Sequence, residues 1–225
     1  VKCNFDRGRM FNVDTMDNLE TAGMAFGRLS GEFIRTKVVP ELDAFRFAKY
    51  AGVSGISKIA AGATLADGAA VISALRAATN KMDEDEVPYE DRYLFITPTL
   101  DGMIADLDTT KSREVMARFS SKVLVPQTRF YTAIEQKSGK MITTGSGDTA
   151  ATTDETAGGF VKASAGKDIN FMVMQRGALI QFSKHVAPKI ITPEANQTAD
   201  GYKFGYRHVA IADAYENKVA GIYLH

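Results

Sequence analysis

Residues 5–52, FDRGRMFNVDTMDNLETAGMAFGRLSGEFIRTKVVPELDAFRFAKYAG, pass from a strand-like stretch into two helical ones, and their reading decides the fold. Up to Val13 the pattern has period 2, with Cys3, Phe5, Phe11 and Val13 on one face and Asn4, Asp6 and Asn12 on the other. A lone extended arm is not stable in water. It therefore reads as half of a β-hairpin whose partner strand must come from a segment ahead of Val1 or from another copy of the chain. From Asn12 onward the period becomes 3.6, and Met16, Leu19, Gly23, Phe26, Leu29, Ser30 and Phe33 trace one face of a single helix expected over 15–34. Asp14 and Thr15 are its candidate N-caps, and Asp17 and Glu20 lie where the helix dipole favours acids. Gly23, Gly27 and Gly31 recur every fourth residue, either as tolerated glycines or as a groove for a closely packed neighbour. Pro40 then opens a second helix, 41–50, closed by Gly52.

Working outward, residues 52–68 are rich in Gly, Ser and Ala and read as a hinge between subdomains. Thr64 is the expected cap of a third helix over 65–81, and DEDEVPYEDR (83–92) follows as a solvated connection. YLFIT (93–97) has the apolar composition of a strand buried on both faces, and Pro98 sits where a helix begins. A strand over 122–125 is followed by a Gly-, Thr- and Ser-rich tract, 139–166, with little to bury, expected to be a long mobile loop. Strands resume at 169–175, 180–186, 202–212 and 219–224.

The chain of 225 residues carries 27 basic and 27 acidic side chains. A net charge near zero argues against nonspecific nucleic-acid binding or an anionic membrane as the main partner, and favours self-association. Cys3 is the single cysteine, which fits a reducing compartment. No apolar run is long enough to span a membrane. His185, His208 and His225 share no metal-ligand spacing, and there is no nucleophile elbow or phosphate-binding glycine loop. Ser146 in GSGD is what a Gly/Ser/Thr tract produces by composition, and the Asp83 and Asp85 pair reads as a solvated face. No catalytic, cofactor or metal residue is assigned.

Four strings carry a family resemblance. DRGRMFNVDTMDNLETAG resembles the descending arm of the extended loop of tailed-phage major capsid proteins as it enters their spine helix, and VVPELDAFRFAKYAG the segment after it. VLVPQTRFYT and GYRHVAIADAYENKVAGIYL look like strands of the axial domain and the C-terminal end. The resemblance implies an α+β fold: a long spine helix with a peripheral sheet, plus a mixed α/β axial domain. Against the family pattern the chain lacks the N-terminal arm and the ascending strand, and reads as trimmed.

On that resemblance, 1–14 is a remnant of the extended loop, 15–60 with 181–213 the peripheral domain, and 61–180 with 214–225 the axial domain. The function implied is that of a non-enzymatic structural subunit of an icosahedral phage or prophage shell, building pentamers and hexamers around DNA in the bacterial cytoplasm. Partners would be copies of itself, scaffolding or portal proteins, and DNA held without sequence readout. Phe5, Asp6, Arg7, Arg9, Phe11 and Val13 are the expected intersubunit residues. Lys2 and Asn196 are candidates for an isopeptide cross-link between copies, with Glu194 as the carboxylate that would accept the amine proton. The alternatives are an encapsulin-like shell around an enzyme cargo, or an α/β enzyme with His185 or His208 beside a carboxylate in one pocket. Loss of the full arm implies that this chain alone folds yet associates weakly.

Overall fold

The computed structural model describes residues 2–21, 24–58, 62–107, 109–144 and 151–225. Strand β1 (Phe5–Asp14) leads into helices α1 (Thr15–Glu20) and α2 (Met24–Phe33), and a π-helical turn (Ile34–Val38) joins α2 to α3 (Val39–Ala51). Next come β2 (Ser57–Lys58), α4 (Gly68–Glu84), β3 (Arg92–Ile96), α5 (Pro98–Leu107), α6 (Thr110–Met116) and β4 (Ser121–Leu124). Four short strands follow: β5 (Ile134–Gln136), β6 (Met141–Thr144), β7 (Ala151–Asp154) and β8 (Phe160–Lys162). The chain ends with β9 (Phe171–Gln175), β10 (Leu179–Ile191), β11 (Gly201–Ala214) and β12 (Ile222–Leu224). The fold is α+β and divides into two units, 1–40 with 180–213 and 41–179 with 214–225. The division thus falls beside Pro40 and not in the Gly-rich stretch 52–68, so that residues 41–60 belong with the second unit.

In the first unit a three-stranded sheet has the order β1-β11-β10. β1 runs antiparallel to β11, with Phe5 opposite Ala210, Phe11 opposite Phe204 and Val13 opposite Tyr202. The expectation that the partner strand is absent from the chain is therefore corrected: the C-terminal part of the chain supplies it. Two period-2 strands with apolar faces find each other across some two hundred residues.

The single helix expected over 15–34 is also corrected. Asp14 caps α1 by accepting from the Met16 N–H at 2.8 Å, but the helix stops at Glu20. Side chains that compete for backbone groups explain the break. The Thr21 hydroxyl donates to the Asp17 and Asn18 carbonyls, both at 3.1 Å, and accepts from the Ala25 N–H at 3.2 Å. Asn18 Oδ1 accepts from the Phe26 N–H at 3.3 Å, giving α2 its own capped start. Gly23 lies outside the described residues, and around Gly27 and Gly31 no atom lies within contact distance of an added Cβ, so the chain places nothing in a glycine groove. Farther on, Pro40 does not begin a new helix after a loop. The preceding turn widens to π geometry, with the Val39 N–H bonded to the Ile34 carbonyl five residues back. A proline has no N–H to give and its ring crowds the carbonyl four residues earlier, and the wider turn accommodates both.

In the second unit a mixed sheet has the order β2-β12-β9-β3-β4. β3 is parallel to β4 and antiparallel to β9, and β12 is antiparallel to β9 and parallel to β2. Leu94 and Ile96 of β3 are completely buried, and α4, α5 and α6 close over them through Val71, Leu75, Ala78, Ile104 and Val115. Phe47 of α3 packs edge-on against Phe95 and Phe130, with ring centroids 5.4 and 4.8 Å apart. α4 starts later than expected, at Gly68, because the Asp67 carboxylate, not Thr64, caps it by accepting from the Ala70 N–H at 2.7 Å. A side chain at Gly68 would collide with the Met103 carbonyl, so α4 can cross α5 this closely only at a glycine.

Two further expectations change. The charged connection 83–92 is not merely solvated: Arg92 is completely buried, its guanidinium 2.7 Å from Asp83 and donating to the Pro88 carbonyl at 2.9 Å and to the Val87 carbonyl. Tyr89 lies over it at 4.7 Å, and Arg118 meets the other Asp83 oxygen at 3.0 Å. The tract 139–166, expected as a structureless loop, contains β6 paired with β7 and, with the flanking β5, β8 in a second ladder. Its Thr-rich composition suits strands. Residues 145–150, which include Ser146, lie outside the described residues.

Arg92→Ala should lower the stability of the second unit by about 3–5 kcal/mol, because it strands two carbonyls and a carboxylate that the guanidinium now satisfies. Urea unfolding followed by circular dichroism measures this; a loss within ~0.5 kcal/mol would show the network to be solvated after all.

Candidate functional site

The residues expected to reach another copy lie on β1, and the structure separates them into two groups. Phe5 and Val13 are buried inside the chain, at 3% and 7% exposure, so the assignment of these two as intersubunit residues is corrected. Phe5 meets the His208 ring edge-on at 5.9 Å, and Phe11 packs on Phe33 and Phe204 at 5.4 and 5.2 Å. Phe26 of α2 joins the same aromatic layer, 5.5 Å from Tyr202 and 6.1 Å from Phe204. Asp6 and Arg9 are exposed, and Arg7 and Phe11 are half-buried.

The polar face of β1 is also occupied from within. Asp6 forms a two-pronged pair with Arg207 at 2.8 and 2.6 Å. Arg207, by its hydrogen bonds first and its charge second, holds the Asp6 carboxyl below the usual carboxylate range. Asn4 extends the ladder with its side chain, donating to the Ala212 carbonyl at 2.7 Å and accepting from the Ala212 N–H at 3.1 Å. At the far end Gly201 stands opposite Asp14, where any Cβ would run into the Val13 carbonyl. Cys3 is exposed.

The sequence reading missed the outer surfaces of this unit. β10 has 13 residues, nearly twice the length expected, and forms a sheet edge. Phe182, Val186 and Ile190 on it are exposed, as are Met16, Leu19 and Met24 at the other side of the chain order. A signal was present: LIQFSKHVAPKII is apolar at intervals and contains no glycine, asparagine or acid. Exposed apolar side chains occur in the second unit as well, among them Tyr89, Leu124 and Met141, and such side chains mark a contact surface where they form a contiguous patch.

The proposed cross-linking residues are placed differently. Lys2 is exposed. Asn196 is built into its own turn, donating to the Gly201 carbonyl at 2.8 Å and accepting from the Thr198 N–H at 3.3 Å and hydroxyl at 3.1 Å. Glu194 is held below the usual carboxylate range, chiefly by the Thr192 hydroxyl and then by its own N–H. A proton acceptor for an isopeptide reaction needs the opposite, an apolar site that raises the carboxyl.

The features an enzyme would need are not assembled on the histidines. His185 is exposed on β10, and His208 has Nε2 3.0 Å from the Ser183 hydroxyl. His225 is buried, stacked on Phe171 at 5.1 Å, and burial pushes its ring below the ordinary histidine range. A cavity of about 540 Å³ in the second unit is lined by Ala63, Leu65, Thr97, Met103, Gln127 and Asp168 among others, and by no histidine or cysteine. Asp168 is already paired with Lys162 at 3.0 Å. Among the described residues no group of three or more potential metal ligands occurs, and no helix is long and apolar enough to cross a membrane.

Neither a protein-family model nor a curated protein matches the chain. Solved structures do. A virus-like particle from Pyrococcus furiosus aligns with 97% of this chain and 75% of its own, at 9% identity and a TM-score of 0.60. The capsid structure of Staphylococcus phage Andhra aligns over 98% of this chain and 69% of its own, at 11% identity and a TM-score of 0.56. A structure of Mycobacterium phage Che8 covers 98% and 70% respectively, at 12% identity and a TM-score of 0.59. At such identities the likeness is one of fold, and the fold is that of phage capsid structures.

Phe5→Ala should cost about 3–5 kcal/mol of unfolding free energy, since it empties a buried ring site between β1 and β11. Asp6→Asn at neutral pH should move the urea midpoint far less, because Asp6 and Arg207 are exposed and screened. The Asp6 carboxyl is lowered in the folded chain, so its contribution is present above the ordinary carboxylate range and fades as pH falls through the lowered value. Equal losses from the two substitutions would contradict this division of β1 into a buried face and a solvated one.

Proposed function

We propose that this chain is a structural subunit of an icosahedral phage or prophage capsid, assembling into pentamers and hexamers that enclose DNA. The observation that carries this reading is the alignment of nearly the whole chain with particle-forming structures, a virus-like particle and a phage capsid, across both of its units. Exposed apolar side chains on α1, α2 and β10 support it, because a subunit with many neighbours keeps such surfaces for them. The first unit would be the peripheral domain and the second the axial domain at the capsomer centre. Arg9 and the outward face of β1 remain in this proposal as contacts between copies, with Phe5 and Val13 supporting the strand from inside.

The balance of 27 basic and 27 acidic residues suits a container that releases its contents. Strong phosphate binding would be salt-sensitive and would hinder filling and release. Scaffolding and portal proteins and assembly in the bacterial cytoplasm belong to this reading. A Lys2–Asn196 cross-link between copies would require Asn196 to leave its turn bonds, and denaturing gels of assembled particles would show it as ladders above the monomer.

Electron microscopy of the purified protein tests the proposal. Closed particles of uniform size are expected of the full-length protein, with this chain alone associating more weakly, and particles from infected or induced cells should contain DNA. Dispersed monomers at every concentration and salt would contradict it, and protein cargo in place of DNA would favour an enzyme-holding compartment.

A further inference from the structure

The first unit carries two exposed surfaces that are alike in apolar character and opposite in charge. Around α1, residues 14–21 (DTMDNLET) contain Asp14, Asp17 and Glu20 and no basic residue. All three acids are exposed, and between and beyond them Met16, Leu19 and Met24 are 64%, 68% and 58% exposed. Strand β10, LIQFSKHVAPKII, contains Lys184, His185 and Lys189 and no acidic residue. These too are exposed, and Phe182, Val186 and Ile190 are 61%, 49% and 59% exposed; Lys184 lies between Phe182 and Val186 on one strand face, whereas Lys189 and Ile190, being neighbours, point to opposite faces. β10 is also one edge of its sheet, β1 being the other. Neither surface is covered by the rest of the chain, and long apolar side chains held in water on both are unfavourable until something covers them.

We propose that these surfaces bind each other between copies of the chain, the α1 surface of one copy seating on β10 of the next. The inference rests on the shell reading for its biological setting, but the contact is argued from charge complementarity and exposure alone. Burial of Met16, Leu19 and Met24 against Phe182, Val186 and Ile190 supplies attraction without direction. The carboxylates facing Lys184, which shares a strand face with Phe182 and Val186, select the partner surface, Lys189 on the other face adds to the positive field that speeds encounter, and two α1 surfaces or two β10 surfaces would repel. Because the two surfaces differ, each bound copy still offers one of each, so the contact propagates to rings or larger arrays instead of stopping at a dimer.

Charge reversal on each surface gives a test with an internal control. D17K/E20K makes both surfaces basic, and K184E/K189E makes both acidic. By sedimentation velocity at low salt, each variant alone should self-associate at least about tenfold more weakly than the unaltered chain, and an equimolar mixture of the two should recover association, because each now complements the other. Circular dichroism establishes that the variants fold. Leu19→Ser and Ile190→Ser provide a second pair that alters no charge, and each should weaken association as well. Reversed variants that associate as the unaltered chain does, a mixture no better than its components, or an unaltered chain that is monomeric at every concentration would each overturn the contact. If closed particles form in electron microscopy while both reversals leave them intact, this contact fails and the shell reading stands. If association follows the charge pattern but yields no closed particle, the contact stands and the shell reading fails.

Discussion

The pairing of β1 with β11 is the constraint on which the first unit depends. Ten residues near the start of the chain are held in register against ten near its end, with Asp6 and Arg207 separated by 201 positions. Closing so long a loop costs conformational entropy, though the cost grows only slowly with length. It is offset by an aromatic layer that no single strand could form: Phe11, Phe26, Phe33, Tyr202 and Phe204 contact one another only when β1, α2 and β11 are together. The side chain of Asn4 prolongs the ladder beyond the strand, and the glycine at 201 allows the backbones to approach at its other end. β1 and β10 are the two edges of this sheet, and the apolar side chains that the unit leaves exposed include those of α1 and β10.

The second unit follows a different logic. Its core is a sheet in which β3 turns Leu94 and Ile96 under three helices while Tyr93 and Phe95 on its other face are half-buried, and the largest completely buried polar side chain is Arg92. A buried guanidinium is tolerable only when its donors are used, and here a carboxylate and two carbonyls use them. The acidic connection between α4 and β3, where Glu86 and Asp91 take positive φ, is in effect folded around that side chain.

Local patterns were legible in the sequence wherever one residue type decides the outcome. The period-2 run to Val13, the apolar YLFIT strand and Pro98 at the first turn of α5 were each readable from a few residues. What could not be read were events that depend on distant partners or on competition between side chains and backbone. β11 as the partner of β1 is one such event, since period 2 specifies a face but not which strand will cover it. The break after Glu20 is another: Asn18 and Thr21 look ordinary in a helical pattern until their side chains take the backbone groups of the next turn. Arg92 was indistinguishable from the charged residues before it. Phe5 and Val13 looked available to another copy for a related reason, because an alternating strand looks uncovered until its own chain is found to pair with it.

The central claim is that β1 is completed by its own chain, and amide hydrogen exchange tests it most directly. The measurement is made on the chain at a dilution where sedimentation shows monomers. The account predicts that alternate amides of residues 5–14, those turned toward β11, exchange slowly and at rates independent of protein concentration, because edge strands protect only the amides facing their neighbour. Rapid exchange along the whole of β1 in the monomer, with protection appearing only on assembly, would contradict it and assign the partner strand to another copy.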